Sequence, residues 1–90
     1  MLPEKDEFDY IYRPGDDSFL MLSVLKNELS TFPSNSIICE IGTGSGILSA
    51  HLNKWLVDGN NPPSLHIGID ISLDACLFSC KYYQHYGLNI

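Results

Sequence analysis

Apolar stretches alternate along the chain with polar, turn-rich breaks, and the spacing inside each stretch predicts an element. Phe19, Leu20, Leu22, Val24, Leu25 and Leu29 follow a mostly helical rhythm, which predicts a helix over 17–30. Asp16-Asp17-Ser18 supplies N-cap chemistry and negative charge where that helix begins. After a loop at Pro33-Ser34-Asn35, Ile37-Ile38-Cys39-Glu40-Ile41 is short, apolar and β-branched, the pattern of a buried strand. Residues 46–56 return to helical spacing, and Asp58-Gly59-Asn60-Asn61-Pro62-Pro63-Ser64 reads as a loop by local rules. Residues 65–71 predict a second strand. Ser72 is placed to cap a third helix with Asp74 in its first turn, ending near Tyr86 before Gly87. Leu88-Asn89-Ile90 predicts the beginning of a further strand.

The order helix, strand, helix, strand, helix predicts an α/β fold with parallel strands joined by right-handed crossovers. Ninety residues allow one small domain at most. Residues 1–16 form a polar segment broken by Pro3, Pro14 and Gly15, and 17–90 form the structured part. With 44% of residues apolar and no low-complexity tract, the chain is globular. A net charge of −6 argues against direct binding to a nucleic-acid backbone, which needs clustered Lys and Arg. The three cysteines, Cys39, Cys76 and Cys80, suit a reducing compartment better than a disulfide framework. No apolar run approaches the roughly 18–20 residues of a membrane span, and MLPEKDEFDY lacks the basic start and apolar core of a signal peptide. The expectation is a soluble protein of the cytoplasm, and also of the nucleus.

Candidate chemistry sits where the first strand turns into the next helix, at Glu40-Ile41-Gly42-Thr43-Gly44-Ser45-Gly46. Turns at the carboxyl end of parallel strands lie on the ligand edge of the sheet. Glycine there permits close backbone approach and positive φ. The G-x-G-x-G spacing differs from the dinucleotide G-x-G-x-x-G, and Ile47 stands where a phosphate-binding loop needs Lys. A carboxylate at Glu40 disfavours a pyrophosphate by like charge and favours an ammonium group. Asp70, ending the second strand, can accept both hydroxyls of a ribose. An amino-acid end near Glu40 and a ribose at Asp70 describe S-adenosylmethionine.

These residues carry a family resemblance. Glu40 to Gly46 with Asp70-Ile71 resembles motifs one and two of the class I S-adenosylmethionine-dependent methyltransferases, which have a Rossmann-like fold. Tyr12-Arg13-Pro14-Gly15-Asp16-Asp17-Ser18-Phe19 resembles the Tyr-x-Pro-x-x-Asp-Ser/Thr-Phe signature of HemK-like glutamine N5-methyltransferases, most closely the eukaryotic and archaeal release factor enzymes. The resemblance spans residues 9 to about 80. It implies the N-terminal, cofactor-binding half of one methyltransferase domain, a truncated Rossmann-like fold. By that resemblance Ser18 touches the methionine end of the cofactor, Glu40 and Gly42 line its amino-acid part, Gly44 admits it closely and Asp70 binds the ribose. The chain departs from the family at Arg13, at Gly15-Asp16 and at Ser72-Leu73, where relatives carry Glu, Ala-Glu and Asn-Pro.

The same resemblance implies methyl transfer to the glutamine amide in the Gly-Gly-Gln motif of a peptide-chain release factor. It also implies a heterodimer with a small zinc-binding activator subunit. The family holds its amide with Asn-Pro-Pro-aromatic after the fourth strand. Asn61-Pro62-Pro63-Ser64 resembles that motif but ends in Ser and follows a helix that runs roughly 16 Å away from the glycine turn. It is read as a turn, so no catalytic residue is assigned, and a 90-residue chain acting alone is expected to be a poor catalyst. Cys76 and Cys80, though spaced i, i+4, lack further ligands, and no metal site is assigned. The tyrosines at 82, 83 and 86 read as a core stripe. Another class I methyltransferase, acting on RNA, DNA or a small molecule, and a non-catalytic fragment that binds a partner remain open alternatives.

Overall fold

The structure, a computed structural model, describes residues 14–90. Tyr12 and Arg13 of the upstream signature lie outside the described residues. Three helices and two strands appear in the order α1 (Asp16–Asn27), β1 (Ile37–Ile41), α2 (Ile47–Asp58), β2 (Leu65–Ile69) and α3 (Leu73–His85), with a 3-10 turn at Leu29–Thr31. The strands pair in parallel, Ile37 opposite Leu65 and Ile41 opposite Ile69. This is the helix-strand-helix-strand-helix unit of a Rossmann-like methyltransferase fold.

Local chemistry explains most boundaries. Gly15, not Asp16 or Ser18, occupies the N-cap of α1, and Ser18 Oγ accepts the Gly15 N–H at 3.4 Å, half of a capping box. The first helix stops earlier than expected, and Glu28 to Thr31 tighten into the 3-10 turn, with the Thr31 hydroxyl donating to the Glu28 carbonyl at 2.6 Å. Ser72 caps α3 by accepting the Ala75 N–H at 3.3 Å, and Gly87 at φ +64 follows its end. β2 closes at Ile69, two residues short of the expected end, because Asp70 turns the chain with its side chain. Residues 88–90 form no strand; instead Leu88 and Ile90 pack against the core of Ala50, Tyr82 and Tyr83.

α2 and α3 lie on one side of the sheet, and α1 packs against α2. That side carries His66, buried and hydrogen-bonded to Asn53 of α2 at 3.1 Å, and Gly68, close to Tyr83 of α3. The other side, made by Ile37, Cys39, Ile41, Leu65, Ile67 and Ile69, is covered by no described element. The expectation of a buried first strand is therefore corrected, since Ile37 is 72% and Ile41 83% exposed. Apolar composition reports that a strand suits burial; it does not supply a second layer to bury it.

Candidate functional site

The site forms at the carboxyl ends of the paired strands. Residues 42–46 carry the chain from β1 into α2 with φ of +78, +54 and +84 at Gly42, Gly44 and Gly46, the left-handed region that side chains resist. Two of these glycines meet different needs. A Cβ on Gly42 would touch nothing within 4 Å, so that backbone borders open space. A Cβ on Gly46 would lie 2.9 Å from the Tyr83 hydroxyl, so glycine there makes room for α3. The turn is fastened to the neighbouring strand by the Gly42 N–H, which donates to the Ile69 carbonyl at 2.7 Å.

Asp70 sits one residue past β2 and faces this turn. Its Oδ2 accepts the Gly44 N–H at 2.9 Å and its Oδ1 accepts the Ser72 N–H at 2.9 Å. Those two backbone bonds, Gly44's first, hold its carboxyl below the usual carboxylate range. Each oxygen keeps lone pairs for further donors. Glu40, on the last full step of β1, behaves oppositely. Burial pushes its carboxyl up, and the Asp70 charge adds to the rise, against hydrogen bonds from Ser49 that pull it down. The Ser49 hydroxyl donates to Glu40 Oε1 at 2.5 Å. Between them the acids border a cleft of 360 Å³, lined also by Ser18, Met21, Gly42 and Gly44, a volume within the range of small-ligand pockets. The five residues singled out in the sequence, Ser18, Glu40, Gly42, Gly44 and Asp70, thus share one cleft.

Sequence reasoning missed two residues behind it. Ser49 is signalled only by its position in the first turn of α2, and Tyr83 lies 37 residues along the chain from Gly46 and has no local signal. A wider groove of 420 Å³ between α1 and α2 is lined by Phe19, Lys26, His51 and Trp55, with no carboxylate among the described residues; Lys26 Nζ sits 5.7 Å from the centre of the Trp55 ring. Asn61-Pro62-Pro63-Ser64 falls at the opposite, amino end of the strands. There the Asn61 amide donates to the Phe32 carbonyl at 3.1 Å and the Ser64 hydroxyl to the Asn35 carbonyl at 2.9 Å, so these side chains tie two loops together. Cys76 donates its S–H to the Asp70 carbonyl at 3.3 Å. Among the described residues no three His, Cys, Asp or Glu side chains are grouped to hold a metal.

A glycine turn between parallel strands, with an acid at each strand tip facing one cleft, is the arrangement of the cofactor half of a Rossmann-like methyltransferase. Over 68 residues, 76% of its length, the chain is 32% identical to Methyltransferase HEMK2 of Homo sapiens. It matches Methyltransferase HEMK2 of Mus musculus to the same extent. The resemblance to HemK-like methyltransferases is thereby borne out in sequence, and the match covers 30% of each of those relatives. No protein-family model matches the chain.

Proposed function

We propose that the cleft binds S-adenosylmethionine and that the chain serves a methyltransferase whose acceptor is the glutamine amide of the Gly-Gly-Gln motif in a peptide-chain release factor. The observation that carries the cofactor reading is the pair of unlike acids on one cleft, with glycine backbone between them. The residues fit the group. Asp70 is held ionised and keeps lone pairs for two ribose hydroxyls. Gly42 presents backbone with no side chain over the cleft, and Glu40 with Ser18 borders the end suited to an ammonium and carboxylate. When bound, the cofactor supplies an electrophilic methyl group; these residues orient it, and positioning is a large part of such catalysis.

Burial and an ammonium ligand act on Glu40 in opposite directions. Burial favours its neutral form, and an ammonium group in the cleft favours the carboxylate. An ammonium ligand therefore binds best with Glu40 ionised, and binding weakens as pH falls through the range in which Glu40 takes up a proton.

The acceptor and a small zinc-binding activator as heterodimeric partner rest on the family resemblance, and residence in the cytoplasm or nucleus rests on cysteines suited to a reducing compartment. The likeness to Methyltransferase HEMK2 supports the methyl-transfer class. The net charge of −6 favours a protein acceptor over RNA or DNA. The test is methyl transfer from labelled S-adenosylmethionine, with the activator present, to a release factor and to its Gly-Gly-Gln→Gly-Gly-Ala form. Label confined to the intact motif supports the reading. Label on RNA or DNA instead moves the chain to another class I methyltransferase.

A further inference from the structure

Tyr83 stands directly behind the glycine turn. Its side chain is only 4% exposed, and its hydroxyl would lie 2.9 Å from a Cβ on Gly46 and 3.6 Å from one on Gly68. It is therefore wedged between the turn and β2. That hydroxyl is buried and has no hydrogen-bond partner of standard geometry, an arrangement that ordinarily calls for an explanation. The hydroxyls beside it belong to Ser49 and Ser79. Both serines have already donated their hydrogens, Ser49 to Glu40 Oε1 at 2.5 Å and Ser79 to the Gly44 carbonyl at 3.0 Å. Each oxygen keeps lone pairs, and Tyr83 has a hydrogen to give. Among the described residues, the hydroxyls that can take that hydrogen are thus those of Ser49, bonded to Glu40, and Ser79, bonded to the Gly44 carbonyl.

We infer that Tyr83 is a positioning residue for the cofactor cleft, its O–H donating to Ser49 Oγ so that Tyr83, Ser49 and Glu40 form one buried relay. The inference rests on the cofactor reading above and deepens it. With that bond made, the chain of donors strengthens the Ser49 bond to the carboxylate. Burial raises the Tyr83 phenol to about 12, which keeps it a donor throughout the neutral range. The groups facing Glu40 are Ser49 from α2, Asp70 from the end of β2 and Tyr83 from α3, with Asp17 of α1 on the same cleft and Cys76 beside Tyr83. Asp70 opposes ionisation of Glu40, and the relay favours it.

The test is Tyr83→Phe, which removes the oxygen alone. Glu40 is titrated by carboxyl-carbon NMR without ligand, and the affinity for S-adenosylhomocysteine is measured across pH. The relay predicts that the Glu40 midpoint moves up and that affinity at neutral pH falls about three- to tenfold, the fold-change of one net hydrogen bond. It also predicts no additional shift from Y83F when Ser49 is already Ala. An unchanged Glu40 midpoint overturns the inference, including the case in which a water satisfies the phenol, because a purely structural tyrosine changes melting without changing that titration. Should Y83F fail to fold, the chain labelled with 3-fluorotyrosine decides: a stronger donor must move the Glu40 midpoint down, and no movement overturns the relay. The titration needs no ligand, so failure of the intact chain to bind S-adenosylhomocysteine would count against the cofactor reading separately.

Discussion

The two ends of the small sheet are built from similar residue types and differ in what their polar groups do. At the amino end, Asn61 and Ser64 donate to carbonyls of residues 32–36 and stitch two loops together. At the carboxyl end, Asp70 accepts two backbone N–H groups yet keeps lone pairs facing a cleft, and the glycine turn presents bare backbone beside it. The difference separates a fastening from a site. Both ends contain a suggestive motif, and at the carboxyl end the acid that ties the backbone also borders a cleft.

The largest expected effect breaks the carboxyl end. Gly46→Ala combines a left-handed backbone with a Cβ driven against Tyr83, and should lower stability by about 2–4 kcal/mol in urea unfolding. The amino end should respond more mildly. Asn61→Ala removes one side-chain hydrogen bond to the Phe32 carbonyl and should reduce stability by about 1 kcal/mol. Its affinity for S-adenosylhomocysteine should stay unchanged, and a loss of binding there would erase the contrast between the ends.

A smaller effect comes from beneath the sheet. Burial holds His66 below its ordinary value of 6.5, and Asn53 donates to its Nδ1, so the folded chain keeps it neutral. The unfolded chain takes up the proton more readily, so the His66 contribution is present above about pH 6.5 and is lost as pH falls. Asp70 acts in the same direction at lower pH: its contribution is present above 3.8 and lost as pH falls beneath it. Glu40 has the opposite sign, because a raised carboxyl makes its ionisation destabilising as pH rises from 4.5. Melting temperatures of the native chain and of Glu40→Gln from about pH 2.5 to 8 separate them. The Gln variant should be the more stable at neutral pH, since it no longer buries a charge.

Element order, the parallel pairing and the position of the glycine turn were legible in the sequence because each follows from local rules: β-branched runs, glycine spacing and the Ser72 cap. Asp70 was legible as an acid at a strand end, though its own hydrogen bonds end β2 sooner than the apolar run suggests. Exposure of Ile37 and Ile41 was not legible, since it depends on which layers exist around the strand. The roles of Ser49 and Tyr83 were hidden for a related reason. They arise where α2 and α3 meet behind β1 and β2, and contacts between elements leave no periodic trace.

The most direct measurement compares adenosine with S-adenosylhomocysteine as ligands for the native chain, Glu40→Gln and Asp70→Asn, by NMR titration at neutral pH. If Asp70 holds the ribose and Glu40 the amino-acid end, Asp70→Asn weakens both ligands about ten- to hundredfold. Glu40→Gln then leaves adenosine binding intact and removes most of the extra affinity of the longer ligand. Equal losses for both ligands in both variants, or tight binding that ignores Asp70, would contradict the account.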